Sequence, residues 1–305
     1  MEKNPLLVVL IGPTGVGKSD LAIALAEHYN MGVISADSRQ VYKEIPIGTA
    51  APSSEDLNSC KHYFIGTKSI TEPYSASLYE QDVLSLLNIL FRERNIALVT
   101  GGSMMYVDAL CHGIDDIPDV KPEVRKAVYT RWEQEGLENI LEELKDLDPV
   151  YYKNVDKKNY KRVLHGYEIC LSTGRPFSSY HTRAKKERPF DILKIGIILP
   201  RPLLYERINR RVCKMIEAGL EKEARAVYEH RNLNALNTVG YKEMFAYMDG
   251  DISLAEAIRQ IQKNSRVYAR KQLTWWKRQD DIHWFEPTQK EAIIDLIDSK
   301  IAEKP

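Results

Sequence analysis

Apolar positions are distributed differently in the two halves of the chain. "LLVVLIG", residues 6–12, is an unbroken apolar run closed by glycine, and behind it Leu21, Ala22, Leu25 and Ala26 recur at helical spacing. "MGVISAD" predicts a second short strand ending on Asp37, residues 78–94 a helix, and "IALVTGG" a further strand ending on Gly101 and Gly102. Strands alternating with helices imply an α/β fold: a P-loop NTPase-like core around a parallel sheet. Ligands of such sheets sit beyond the carboxyl ends of the strands, where residues 12–19, Asp37 and Gly101 would converge.

From about residue 115 the pattern becomes charged and helix-favouring, with no strand until "DILKIGIIL" at 191–199. The reading is a helical insertion at 115–188 within a core made of 1–114 and 189–305. Past 199 the chain reads as helices to its end, a helical C-terminal region interrupted at Gly240 and Gly250.

Charge sharpens this division. The chain carries 43 basic and 43 acidic residues, so no global field draws it to nucleic acid or membrane. Residues 151–188 nevertheless hold ten basic side chains against three acidic, a local +7 inside a neutral protein. Cys60, Cys111, Cys170 and Cys213 are scattered, with no CxxC pair and no clustered histidines, which argues against a zinc site or disulfide framework. The scattered cysteines suit a reducing cytoplasm, and the apolar stretch at 6–11 is too short for a signal peptide or membrane span, so a cytoplasmic protein is expected; neutral overall charge and no obvious coiled coil make a monomer the default state.

The segment Gly12, Pro13, Thr14, Gly15, Val16, Gly17, Lys18, Ser19 fits G-x-x-x-x-G-K-[ST] in the required order of strand, loop and helix. Glycines let backbone N–H groups turn toward an anion, Lys18 adds a point charge, and the Ser19 hydroxyl can ligate Mg2+. Which phosphate is bound is not fixed by the loop. A nucleotide hydrolase normally places an acid at the end of another apolar strand, whereas "IALVTGG" ends in threonine and glycines. Asp37 and Ser38 have two readings: a turn or cap built from short polar side chains, or a general base beside a bound phosphate ester.

Several blocks then resemble one family. "GPTGVGKSDLAIALA", "ISADSRQVYKEIPIGTAAP", "LVTGGSMMYVDAL", "DPVYYKNVDKKNYKRVLHGYEICLSTGRPFS", "RINRRVCKMIEAGLEKEA", "TVGYKEM" and "RKQLTWWKR" look like the ordered blocks of tRNA dimethylallyltransferases (tRNA isopentenyltransferases). The resemblance implies transfer of a dimethylallyl group from dimethylallyl diphosphate to the exocyclic amine of an adenosine beside the anticodon. The loop would then hold diphosphate as a leaving group, with magnesium offsetting its charge. Asp37 matches the family's base, Arg211 the arginine over the diphosphate, and Thr14 belongs with them in the catalytic set. "GGSMMY" and "KRVLHGYEI" depart from the family's usual GGTGLY and RRALE, at Met104, Met105 and Leu164-His165-Gly166.

RNA contact is expected at two places. Residues 263–278 carry six basic side chains and no acid, interleaved with Tyr268, Trp275 and Trp276. Lys263, Arg266, Arg270, Lys271 and Gln272 there, with Arg162 of the insertion, would track the tRNA anticodon stem-loop, although such a helix can equally be a solvated cationic face with its tryptophans in the core. The target base must be drawn into a channel, for which Asp37, Ser38, Gln40, Gly101 and Ser103 supply polar groups. Arg207 and Arg210 read as surface residues. A small-molecule or nucleoside kinase, a prenyltransferase of free adenine nucleotides, and a non-catalytic nucleotide-switched RNA-binding module stay open as alternatives on the residues alone.

Overall fold

The computed structural model describes residues 4–182 and 185–303; Arg183, counted in the basic stretch, lies outside them. The chain forms two compact units, Met1–His112 with Glu187–Pro305, and Gly113–Lys186.

The first unit is built on a six-stranded sheet of β1 (Leu6–Ile11), β2 (Val33–Ser35), β3 (His62–Tyr63), β4 (Ile96–Gly101), β5 (Asp191–Ile197) and β6 (Ile282–Phe285), in the order β3-β2-β4-β1-β5-β6. Every pairing is parallel. β1 is central because both its faces are apolar. Leu6, Val8 and Leu10 pack with Leu21 and Leu25 of the Lys18–His28 helix and with Ile293 and Ile297 of the Lys290–Ala302 helix. Leu7, Val9 and Ile11 pack with Val83 and Leu87 of the Ala76–Glu93 helix and with Val107 and Leu110 of the Met104–His112 helix. A side chain of this size buried fully contributes about 1.5–3 kcal/mol, so six in one strand make β1 the seam of the unit.

Register sets the site. Ile11 lies opposite Gly101 of β4 and Gly196 of β5, and Ser35 lies opposite Thr100, so β1, β2 and β4 finish level. The segments that follow, beginning at Gly12, Ala36 and Gly102, therefore leave the sheet on one edge. A third apolar cluster, including Tyr42, Ile45, Leu220, Tyr241 and Ile261, ties the chain after β2 to the helices beyond β5.

Three strands depart from the sequence expectation. β6 falls where the pattern reads as helical, and with only four residues it gains its ladder from β5, from Lys194 opposite Ile282 to Ile197 opposite Phe285. β3 has only two residues. The expected strand at 31–37 is confined to Val33–Ser35; the Ala36 amide still donates to the Thr100 carbonyl of β4 at 2.7 Å, and the chain turns at Asp37.

The second unit is helical: Pro122–Leu147, broken at Gly136 where φ is +82°, then Pro149–Asn154, Tyr160–Thr173 and the short turn Phe177–Tyr180. Its core gathers Val128, Ile140, Leu144, Val163, Leu164 and Ile169. Asp148, fully buried, accepts hydrogen bonds from the backbone of Tyr151 and from both the amide and hydroxyl of Ser178. Among the described residues no helix is long and apolar enough to cross a membrane.

Candidate active site

The loop after β1 takes its shape from glycines: Gly15 and Gly17 adopt φ of +80° and +105°, a region that side-chain-bearing residues rarely occupy. This delivers the chain into the Lys18–His28 helix with its N-terminus facing the loop. Lys18 Nζ donates to the carbonyls of Gly12 and Pro13, both at 2.9 Å. Burial and the neighbouring Arg211 guanidinium pull its pKa down to about 7, with Asp37 opposing them.

Three side chains from the helices beyond β5 hold this loop. Arg207 donates to the Val16 carbonyl at 3.1 Å, and Arg211 Nη1 donates to Thr14 Oγ1 at 2.9 Å. Gln272, 1% exposed, accepts from the Thr14 amide at 2.9 Å and donates to the Gly102 carbonyl at 2.8 Å, tying the loop to the end of β4. Gln272, expected to contact RNA, is a buried strut that also lines the first cavity; it faces inward from the Leu254–Trp276 helix, whereas Lys263, Arg270 and Lys271 are exposed. Arg207 is exposed, as its reading as a surface residue implies, yet it is also a loop contact.

Arg211 reaches from the Arg201–Glu217 helix, and its second nitrogen, Nη2, donates to the Thr49 carbonyl at 3.3 Å. Its Nε–H is buried with no protein partner. Burial lowers its pKa, with Asp37 opposing. A half-buried guanidinium held beside an anion-binding loop is a fork of donors suited to an anion.

Asp37 follows β2, and its Oδ1 accepts from the amides of Arg39 at 2.9 Å and Gln40 at 3.4 Å. The turn reading of this residue is therefore correct, and it is compatible with the other one, because the same side chain lines the cavity. Ser103, 7% exposed, accepts from the Ser38 amide at 2.8 Å and donates to the Ser38 hydroxyl at 3.1 Å, fixing the turn against the chain after β4. Gln40 spends its amide on the Thr49 and Ala50 carbonyls.

Two cavities meet here. One, about 470 Å³, is lined by the loop, Asp37, Gln40, Gly101, Arg207 and Arg211. The other, about 570 Å³, is lined by Ser38, Ser103, Lys242, Glu243, Asn264 and Lys271, among others. Thr14, Asp37, Arg211 and Tyr268 line both. In the sequence Tyr268 stands out only as one aromatic among basic residues; burial, reinforced by Asp37, pushes its pKa up to about 12. The two tryptophans beside it are structural: Trp276 is fully buried, and Trp275 Nε1 donates to Asp108 at 2.9 Å.

The expected RNA-contacting cations divide as well. Lys263, Arg270 and Lys271 are exposed on the Leu254–Trp276 helix, whereas Arg266 is half-buried and bonds Asn209 Oδ1 at 2.5 Å. In the second unit Arg162 is exposed, as are Lys153, Lys157, Lys158, Lys161 and Arg175. Arg188, counted in the same basic stretch, is buried in the first unit against Glu80 at 2.6 Å.

Among the described residues no group of three or more His, Cys, Asp and Glu side chains stands ready to hold a metal. Ser19, exposed in the first turn of its helix, lines the first cavity beside the loop. A hard cation there would draw its remaining oxygens from a bound phosphate, which is how magnesium is commonly held.

The IPP transferase family model matches residues 40–279. "tRNA dimethylallyltransferase 1" of Porphyromonas gingivalis is 59% identical over 292 residues, covering 95% of this chain and 97% of its own. The protein of that name from Bacteroides fragilis is 55% identical over 295 residues, with 97% and 98% covered. The crystal structure of the full-length tRNA isopentenylpyrophosphate transferase from Bacillus halodurans superposes with a TM-score of 0.71 at 32% identity, covering 98% of this chain and 97% of that one. A eukaryotic dimethylallyltransferase, seen in crystallographic snapshots acting on tRNA, gives 0.84 at 25% identity, with 99% and 80% covered. On this identity, sustained over nearly its whole length, the chain belongs to the IPP transferase family and is a prenyltransferase.

Proposed function

We propose that the protein transfers a dimethylallyl group from dimethylallyl diphosphate to the exocyclic N6 of the adenosine 3′-adjacent to the anticodon of tRNA, releasing diphosphate. The observation that carries this reading is the convergence of an anion-binding loop, a guanidinium bonded to that loop and a carboxylate on one cavity.

The chemistry follows from these groups. An adenine amine is a weak nucleophile, but an allylic carbon whose leaving group departs early becomes strongly electrophilic. As the C1–O bond breaks, its electron pair goes to the diphosphate; as the N6–C1 bond forms, the N6 proton passes to Asp37. Lys18, Arg211, Thr14 and the loop amides receive the growing negative charge in a site arranged beforehand for it. Ser19, together with diphosphate oxygens, would hold magnesium, which would supply further charge neutralisation. The second cavity suits the incoming base, since Asp37 borders both spaces. Exposed cations at Lys263, Arg270 and Lys271, and at Arg162 and its neighbours in the second unit, suit the backbone of the anticodon stem-loop.

The test is incubation of the protein, magnesium and labelled dimethylallyl diphosphate with unmodified tRNA carrying adenosine 3′ to the anticodon. Label transfer by the wild type, abolished in Asp37→Ala, is the expected result. No transfer together with tight ATP binding would replace this reading with a kinase.

A further inference from the structure

Two sequence blocks, "RINRRVCKMIEAGLEKEA" and "TVGYKEM", contribute only Arg211 to the chemistry above. Glu223 of the first and Tyr241 of the second meet beneath the turn that follows β2. Glu223 Oε2 accepts from the Ile47 amide and Oε1 from the Gly48 amide, both at 2.8 Å, and the Tyr241 hydroxyl donates to Oε1 as well. Tyr241 is itself fully buried. Gly48 sits directly on its ring: a Cβ there would stand 2.4 Å from the phenol oxygen. The turn this clamp grips, Pro46–Thr49, ends at Ala50, which is held at φ +45°, an unfavourable conformation for alanine that persists only where the surroundings impose it.

What the turn presents on its far end is the active site. The Thr49 carbonyl accepts from Arg211 Nη2 at 3.3 Å, and the Ala50 carbonyl accepts from Gln40 Nε2 at 3.0 Å. The guanidinium is therefore stretched between two anchors, Thr14 on the phosphate loop and Thr49 on the clamped turn. The first anchor belongs to the diphosphate site already described; the second owes its place to Glu223.

We propose that Glu223, braced by Tyr241, is a positioning residue: by clamping the 46–50 turn it fixes the Thr49 carbonyl and so aims Arg211 at the departing diphosphate. This rests on the role given to Arg211 above. The carboxylate is suited to the task because two adjacent amides need two acceptor oxygens in one plane, which a carboxylate offers and a carboxamide does not.

The experiment places Glu223→Gln and Tyr241→Phe in the full-length chain, each with Arg211 intact and with Arg211→Ala, and measures kcat, KM for both substrates and the affinity for inorganic diphosphate. With Arg211 present, Glu223→Gln is expected to lower kcat about tenfold, the scale at which sub-ångström misplacement of a transition-state group acts. KM for tRNA should change less than about twofold, because the exposed cations that suit the tRNA backbone, Lys263, Arg270, Lys271 and Arg162, lie on other segments. With Arg211→Ala, Glu223→Gln should cost nothing more, since the group it positions is gone. Equal losses in both backgrounds would overturn the proposal, because a general loosening of the fold multiplies with the loss of Arg211. Unchanged kcat in Glu223→Gln and Tyr241→Phe would overturn it too. Tyr241→Phe removes one hydroxyl and decides the matter where Glu223→Gln folds poorly. If the wild type transfers no dimethylallyl group, the functional reading falls by itself, and inorganic diphosphate affinity decides this one: weakening by Glu223→Gln only when Arg211 is present supports it, and any other pattern overturns it.

Discussion

Asp37 shows how one side chain serves folding and chemistry together. Its Oδ1 closes a turn on the amides of Arg39 and Gln40, which leaves Oδ2 for a proton. Asparagine keeps the turn acceptor and removes the base, so Asp37→Asn should retain the wild-type denaturation midpoint while kcat falls about 10²–10⁴-fold, the range for losing general base catalysis. A midpoint that drops with kcat would mean the turn, and not the proton, is what matters. Lys18 provides a second residue-scale outcome. In the free protein its pKa is drawn down to about 7, and a bound diphosphate holds the ammonium charged and so raises it. Below that value the lysine is protonated with or without ligand and adds no pH dependence. Above it, binding takes up a proton, and affinity falls with rising pH until the pKa of the complex is reached. Calorimetric titration of inorganic diphosphate across pH 6–9 should show this decline in the wild type and a shallower one in Lys18→Met, which shares the ligand's own titration but lacks the lysine's.

Elements explain what is legible in the sequence. β1, the loop and the helix after it announce themselves because their signals are local: a doubly buried apolar run, glycines at fixed offsets, a lysine in register. Asp37 is legible as the end of a strand beside that loop. The struts are not. Gln272 meets Thr14 across 258 residues of sequence, and within its own helix nothing separates it from the cations around it except which way it faces. Trp275 and Trp276 mislead for the same reason, since aromatics among basic residues serve a core as readily as a nucleic acid. β6 escapes because an edge strand of four residues owes its existence to β5. The weight of such a strut is measurable. Gln272→Leu would leave the Thr14 amide without its partner and the Gly102 carbonyl with only the Tyr268 hydroxyl at 3.5 Å, at a cost of about 1–3 kcal/mol for a buried polar group left unpaired. Chemical denaturation should register that loss, and diphosphate affinity should fall with it because the Thr14 segment is no longer pinned.

At the scale of the whole molecule, neutrality conceals an uneven distribution. The 43 acidic residues balance 43 basic ones, so attraction to a polyanion has to come from where the cations are exposed and crowded. The structure narrows that stretch. Arg188 is buried against Glu80 and is withdrawn from any surface role, whereas Lys157, Lys158, Lys161 and Arg162 stand exposed within six residues of one another in the second unit. Cations paired with phosphates act by releasing counterions and so report themselves through salt. Replacing all four by glutamine should weaken tRNA binding and flatten the plot of log affinity against log salt by about 0.7–0.9 for each phosphate no longer neutralised, close to 3 if all four engage phosphates. KM for dimethylallyl diphosphate should stay unchanged, because the phosphate loop, Lys18 and Arg211 belong to the other unit. An unaltered salt slope in this variant would move the burden of RNA binding onto Lys263, Arg270 and Lys271, where the same substitution and the same titration apply.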